Sequence, residues 1–367
     1  MNKNLLFGLL SVAILLIGGG VWYYLAFTPT SYSVTETPKA VLTQQNQDYA
    51  DAVAYAKAGK HDLALQSYEK ALLLAEDETQ AAQIRINIAV TNEKLHNYAA
   101  AIAGFKAIAA STTSYPTARA YAVQEMGLMY YTFVGTDDRK TITAETFKDA
   151  PYDSFWTSDN VNLSYTKLFE YATSFYPLGP SEARIAYGYA NEIIGTFKGA
   201  TTTPQAKAYL TTIMQSIQAA DAGVNRMKGI PEEALLIPET LIRAGTALSI
   251  LVPVGAASPE QAEPYFRAGV AYSTTLGYKL GSFNTFNYAA FLVDQYGAKR
   301  SADIQTLLLP FRVGNDAQIY PNIVTFFRTA RTDTTLAKSR AQLVKMGRID
   351  AGFKTYLISL GWKDSDF

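Results

Sequence analysis

Small side chains recur at set offsets between residues 48 and 76, DYADAVAYAKAGKHDLALQSYEKALLLAE, and this spacing limits what the chain can fold into. Ala52 and Ala64 are small enough to let two antiparallel helices approach closely. Tyr55, Tyr68 and Ala71 lie at helical offsets from them and fill the wedge alongside. Gly59 sits between the two runs, where a helix ends in the left-handed conformation that glycine adopts without steric cost. Asp62 follows in the first turn of the second run, where a negative charge suits the helix dipole. The stretch predicts a helix, a tight turn and a second helix packed back on the first.

The pattern returns 37 positions on, as Ile88, Ala89, Tyr98, Ala101 and Phe105. In this copy Asn92, His96 and Ile108 stand at the positions of Tyr55, Gly59 and Ala71. A third leading helix follows with Met126, Gly127 and Tyr130. On these residues, from about 44 to 131, the chain resembles the tetratricopeptide repeat (TPR) family, whose unit is a helix–turn–helix of about 34 residues. The resemblance implies an all-α fold, a TPR-like right-handed stack of helix hairpins or α-solenoid. It also implies a concave groove lined by the leading helices. Mapped onto this chain, the groove residues are Tyr49, Val53 and Lys57, then Ile86, Val90 and Lys94, then Gln124, Leu128 and Tyr131. Members that clamp a C-terminal carboxylate place asparagine where Val53 and Val90 stand, so no such clamp is expected. The mixture suits an apolar or aromatic peptide segment with an acidic flank against Lys57 and Lys94. The alternative is that later helices of the chain fill the groove themselves.

Residues 5–27, LLFGLLSVAILLIGGGVWYYLAF, carry no charge, and as a helix would span about 34 Å, slightly more than a bilayer core. Trp22, Tyr23 and Tyr24 gather near one end like an interfacial belt, and Lys3 lies on the short side. The expectation is a transmembrane signal-anchor over residues 1–27: a single pass through the cytoplasmic membrane, N-terminus inside, the bulk of the chain extracytoplasmic. A cleaved signal peptide is the competing reading, opposed by bulky residues where a small-x-small cleavage site belongs. The lack of cysteine fits an exported bacterial protein.

A polar linker is expected over 28–40, the repeats over 41–134, a loop over 135–160, and a helical region of degenerate repeats over 161–367. Within the last, Ser181 reads as a cap for a helix ending at Gly195, and Thr203–Pro204 opens a helix ending at Gly223. Pro238 divides a region into two short helices. Ser258 and Gln261 form a capping box. The chain closes on a helix pair joined near Gly347. LSILVPVGAA, preceded by Arg243, reads as a buried helix end.

No sequence pattern nominates a catalytic, cofactor-binding or metal-ligating residue. The two histidines, His61 and His96, fall in repeat turns, and no phosphate-binding glycine loop or nucleophile elbow occurs. Lysine plus arginine, 32, equals aspartate plus glutamate, 32, so no positive field is available for nucleic acid. The expected function is therefore non-enzymatic: a membrane-anchored scaffold holding a protein or peptide partner for envelope assembly, secretion or quality control. Two alternatives are a helical solute- or carbohydrate-binding protein, with Trp156 and residues 283–296 forming an aromatic pocket, and an envelope glycan-cleaving enzyme built on helical repeats.

Overall fold

The computed structural model describes residues 44–132, 137–157, 160–230, 233–275, 281–315, 319 and 321–367. The anchor at 5–27 and the linker at 28–40 lie outside the described residues. Those described are helical throughout, with no strand among them. They divide into two compact units, 44–181 and 182–367.

In the first unit, α1 (Gln44–Lys57) and α2 (His61–Leu73) form the predicted hairpin. Ala52, Ala64 and Ala71 have no exposed surface and share a core with Tyr68 and Ile84. Gly59 turns between the helices at φ +71°. A Cβ there would meet nothing within 4 Å, so glycine is needed for its backbone conformation and not for space.

The second hairpin joins α3 (Glu78–Lys94) to α4 (Tyr98–Ala110). Ala89 and Ala101 are buried as expected, and Gly104, one turn further along α4, faces Ala89. A Cβ on Gly104 would come 3.1 Å from that of Ala89. His96, in the place of Gly59, has φ +60°. The same left-handed turn is thus built without glycine, at the steric cost a side chain carries there. Asp77 caps α3 by accepting from the Gln80 N–H at 2.8 Å.

Next come α5 (Pro116–Thr132), α6 (Arg139–Thr146) and α7 (Val161–Phe175). The expected loop at 135–160 therefore holds a helix and a 3₁₀ turn, Tyr152–Phe155. Ile142 of α6 is fully buried where that helix packs on α4 and α5. α5 lies against α7 with Gly127 on the Phe169 ring, which an added Cβ would approach to 2.8 Å.

The second unit contains most of α8 (Pro180–Gly195), then α9 (Pro204–Met227), α10 (Ile237–Leu251), α11 (Pro259–Thr275), α12 (Gly281–Tyr296) and α13 (Ser301–Leu308). It ends with α14 (Pro321–Thr332), α15 (Ala337–Ile349) and α16 (Ala351–Ser359). Thr203 caps α9 as predicted, but the helix runs through buried Gly223 to Met227. Pro238 sits in the first turn of α10, where its missing N–H costs nothing, and the region is divided just before it, into a 3₁₀ turn, Ala234–Leu236, and one α-helix. Ser181 lies inside α8, where its hydroxyl donates to Gln124 Oε1 at 2.7 Å instead of capping the helix. α15 continues past Gly347, and the break comes at Asp350, which caps α16 by accepting from the Phe353 N–H at 2.6 Å.

Ala234–Val254 is long and apolar enough to cross a membrane by length and composition, yet 78% of its most apolar window is buried inside the protein. It holds Glu239, paired with Arg184 of α8, and Arg243, whose guanidinium lies 5.6 Å from the centre of the Tyr187 ring. These are the features of a central helix in this unit.

Candidate functional site

The nine groove positions divide by helix. On α1, Lys57 is exposed, and Tyr49 and Val53 are half-buried. The Tyr49 hydroxyl accepts from Asn87 Nδ2 at 3.1 Å, and its ring meets the edge of Tyr68 with centroids 5.8 Å apart. This tyrosine therefore links the first hairpin to the second. On α3, Ile86 and Val90 are buried and Lys94 is half-buried. On α5, Gln124, Leu128 and Tyr131 are all buried. Gln124 holds Ser181, and Tyr131 lies against Tyr165 of α7 with ring centroids 4.2 Å apart.

The expected groove is therefore not open along its length. At α5 the face is covered by the chain's own residues, Tyr165 of α7 at Tyr131 and Ser181 at Gln124, so the buried Gln124, Leu128 and Tyr131 serve the core. Of the nine, Tyr49, Val53, Lys57 and Lys94 reach the surface.

Lys94 also differs electrostatically from what its position suggests. Burial pulls its ammonium down to about 7, although the Glu125 carboxylate on α5 opposes that shift. It is not a free cation waiting for an acidic peptide flank. Glu93, its neighbour, is 4% exposed, and its Oε2 has no hydrogen-bond partner. Burial and the Glu125 charge raise its carboxyl well above the usual range. Beyond it, burial and the Asp138 carboxylate raise the Tyr98 phenol, whose hydroxyl donates to Asp138 Oδ2 at 2.9 Å. Asp138 in turn faces His96 Nδ1 at 3.9 Å, with its side chain 45% exposed. A chain of acidic groups thus runs from the buried Glu93–Glu125 pair, past Tyr98, to solvent at Asp138, with Lys94 at its margin.

Sequence reasoning missed this cluster because Asn92-Glu93-Lys94 reads as a solvated helix end. The available signal was periodic: Glu93 lies seven residues after Ile86 and three after Val90, so it shares their face of α3.

Other charged clusters are closed and satisfied. Glu263 accepts from Tyr288 at 2.7 Å, Arg267 at 3.0 Å and Arg300 at 3.1 Å. Against the cost of burial, those bonds hold its carboxyl down to about 2. It ties α11 to α12 and to the turn after it. The aromatic residues expected to share a pocket belong to different units. Trp156 packs on Phe147 and Tyr130, whereas Phe286 packs on Phe311, Phe326 and Phe327. Among the described residues, no group of three or more histidine, aspartate or glutamate side chains is placed to hold a metal ion. Set against known protein families, curated proteins and solved structures, the chain matches none.

Proposed function

We propose that the chain is an extracytoplasmic scaffold, tethered to the cytoplasmic membrane by residues 5–27, whose TPR-like hairpins hold a protein or peptide partner. The observation that carries the repeat reading is the second turn. His96 adopts φ +60° where Gly59 has φ +71°, 37 residues apart, and Ala89 and Ala101 are buried like Ala52 and Ala64. The two turns thus adopt the same left-handed conformation at equivalent positions, although the second carries a side chain, held there by its contact with the Tyr98 hydroxyl at 2.7 Å. Repeats of this kind present the faces of their leading helices to partners. Here the accessible part of that face is Tyr49, Val53 and Lys57 on α1, continued by Lys94 on α3.

The test is crosslinking in intact membranes followed by recovery of the full chain, comparing wild type with a Val53→Asp, Lys57→Glu double variant. Loss of a specific crosslinked partner supports the reading. Recovery unchanged by the double variant counts against this face.

A further inference from the structure

We propose that the end of the first unit where α1 begins rests on the bilayer, with Leu73, Leu74 and Tyr115 entering its interfacial layer. The inference rests on the membrane tether of the scaffold reading and adds a second contact, between the folded unit and zwitterionic lipid.

The connections decide which loops share that end. α1 and α2 form a hairpin, as do α3 and α4, so the start of α1, the end of α2, the start of α3, the end of α4 and the start of α5 lie together. The Ser114 hydroxyl, between α4 and α5, donates to Glu78 Oε1 at the start of α3 at 3.1 Å and joins two of these loops. At the opposite end the Tyr98–Asp138 hydrogen bond joins the start of α4 to the segment after α5.

The two ends differ in what they expose. Leu73, Leu74 and Tyr115 are 86%, 45% and 52% exposed, the three most exposed large apolar side chains among the described residues of this unit. Single exposed leucines are ordinary, but these three are gathered on adjoining loops. The opposite end exposes Lys57, Lys60, Asp62, His96 and Asn97, and of the large apolar side chains Leu63. Leucine suits the apolar side of a bilayer interface, and tyrosine suits the headgroup level.

The chain itself brings lipid to the apolar end. A span over residues 5–27 leaves residues 28–43 before Gln44 opens α1, a reach of at most about 55 Å. Such tethering gives an effective concentration on the order of millimolar, so a patch too small to retain a free protein suffices. The opposite end lies about 20 Å further off, the length of the 13-residue α2. Glu76 and Asp77, exposed beside Leu74, repel anionic headgroups, which is why the lipid is zwitterionic. Docked in this way, the leading-helix face stands upright, with Lys57 and Lys94 directed away from the membrane.

The experiment reconstitutes the full chain in phosphatidylcholine vesicles, as Leu73→Cys, Tyr115→Cys and Lys57→Cys variants each labelled with nitrobenzoxadiazole. Labels at Leu73→Cys and Tyr115→Cys should emit at shorter wavelength than the label at Lys57→Cys and lose most of their emission to nitroxide-bearing lipid. Leu73→Glu, which changes a side chain lying almost wholly in water, should reduce the quenching at Tyr115→Cys while leaving the thermal melt as it was. Quenching at Leu73→Cys no greater than at Lys57→Cys overturns the proposal, as does quenching at Tyr115→Cys that Leu73→Glu leaves unchanged. A blue-shifted label that nitroxide lipid does not quench also overturns it, because protein then covers the patch. Alkaline extraction of the same vesicles separates this from the tether. A chain retained with unquenched labels loses only the docked end, whereas a released chain loses the anchor and the proposal with it.

Discussion

Glu93 shows how a residue's chemistry is decided by what its helix packs between. Beside Lys94 near a helix end, it reads in sequence as half of a solvated pair. In the folded chain α3 has neighbours in α2, α4 and α5, and burial raises the Glu93 carboxyl well above its usual range. The consequence for stability has a definite sign. The folded chain keeps a proton that the unfolded chain loses near pH 4.3, so stability falls as pH rises from there through the folded value. Glu93→Gln removes that loss. The variant should match wild type near pH 4 and exceed it by about 1 kcal/mol or more at pH 7, the scale of one unsatisfied buried group. Urea titrations at the two pH values measure the difference, and a variant less stable at pH 7 would refute the burial argument. Gly59 gives the opposite case, a residue whose role was legible from sequence. Gly59→Ala should cost about 1 kcal/mol through backbone conformation alone, because the site is sterically open. Chemical denaturation measures it. A Gly59→Asn variant should recover part of the loss, since asparagine tolerates that conformation better.

Elements were legible where their determinants are local and less so where packing at a distance decides. The hairpins of α1–α2 and α3–α4 follow from alanines and a turn residue within about 30 positions. The hidden helix α6, RKTITAET, has three threonines and weak propensity, and it forms because Ile142 is buried against α4 and α5. The same limit explains Ser181, which reads as a cap but is drawn into the α8 helix by Gln124, 57 residues away. It also explains why the groove closes at α5: the covering residues, Tyr165 and Ser181, lie beyond the recognisable repeats. Gly127 marks that contact. Gly127→Ala should destabilise the first unit by about 1–3 kcal/mol, because its methyl must push the Phe169 ring aside in a packed interior. A second change, Phe169→Leu, should recover part of the loss in a double-mutant cycle. Additive costs would show that the two residues do not meet as described.

At the scale of the whole molecule, the proposed topology turns on two stretches that satisfy the length and composition of a span. Residues 5–27 are uncharged throughout, whereas Ala234–Val254 carries Glu239 and Arg243 and has 78% of its apolar window buried. A charged pair inside lipid is far costlier than one packed against Arg184 and Tyr187, so the protein interior is the favoured place for this helix. The absence of cysteine makes the alternatives separable, since one introduced thiol is a unique label. Lys57 and Lys345, one in each unit, are exposed, so Lys57→Cys and Lys345→Cys report their own side without disturbing a core. With a single anchor, a membrane-impermeant maleimide added to spheroplasts labels both variants, and a cysteine at Asn2 stays unlabelled until lysis. Were Ala234–Val254 a second span, Lys345→Cys would lie on the cytoplasmic side and resist labelling, while Lys57→Cys would react. Labelling at Asn2 in intact spheroplasts would reverse the orientation drawn from Lys3 and remove the extracytoplasmic reading altogether.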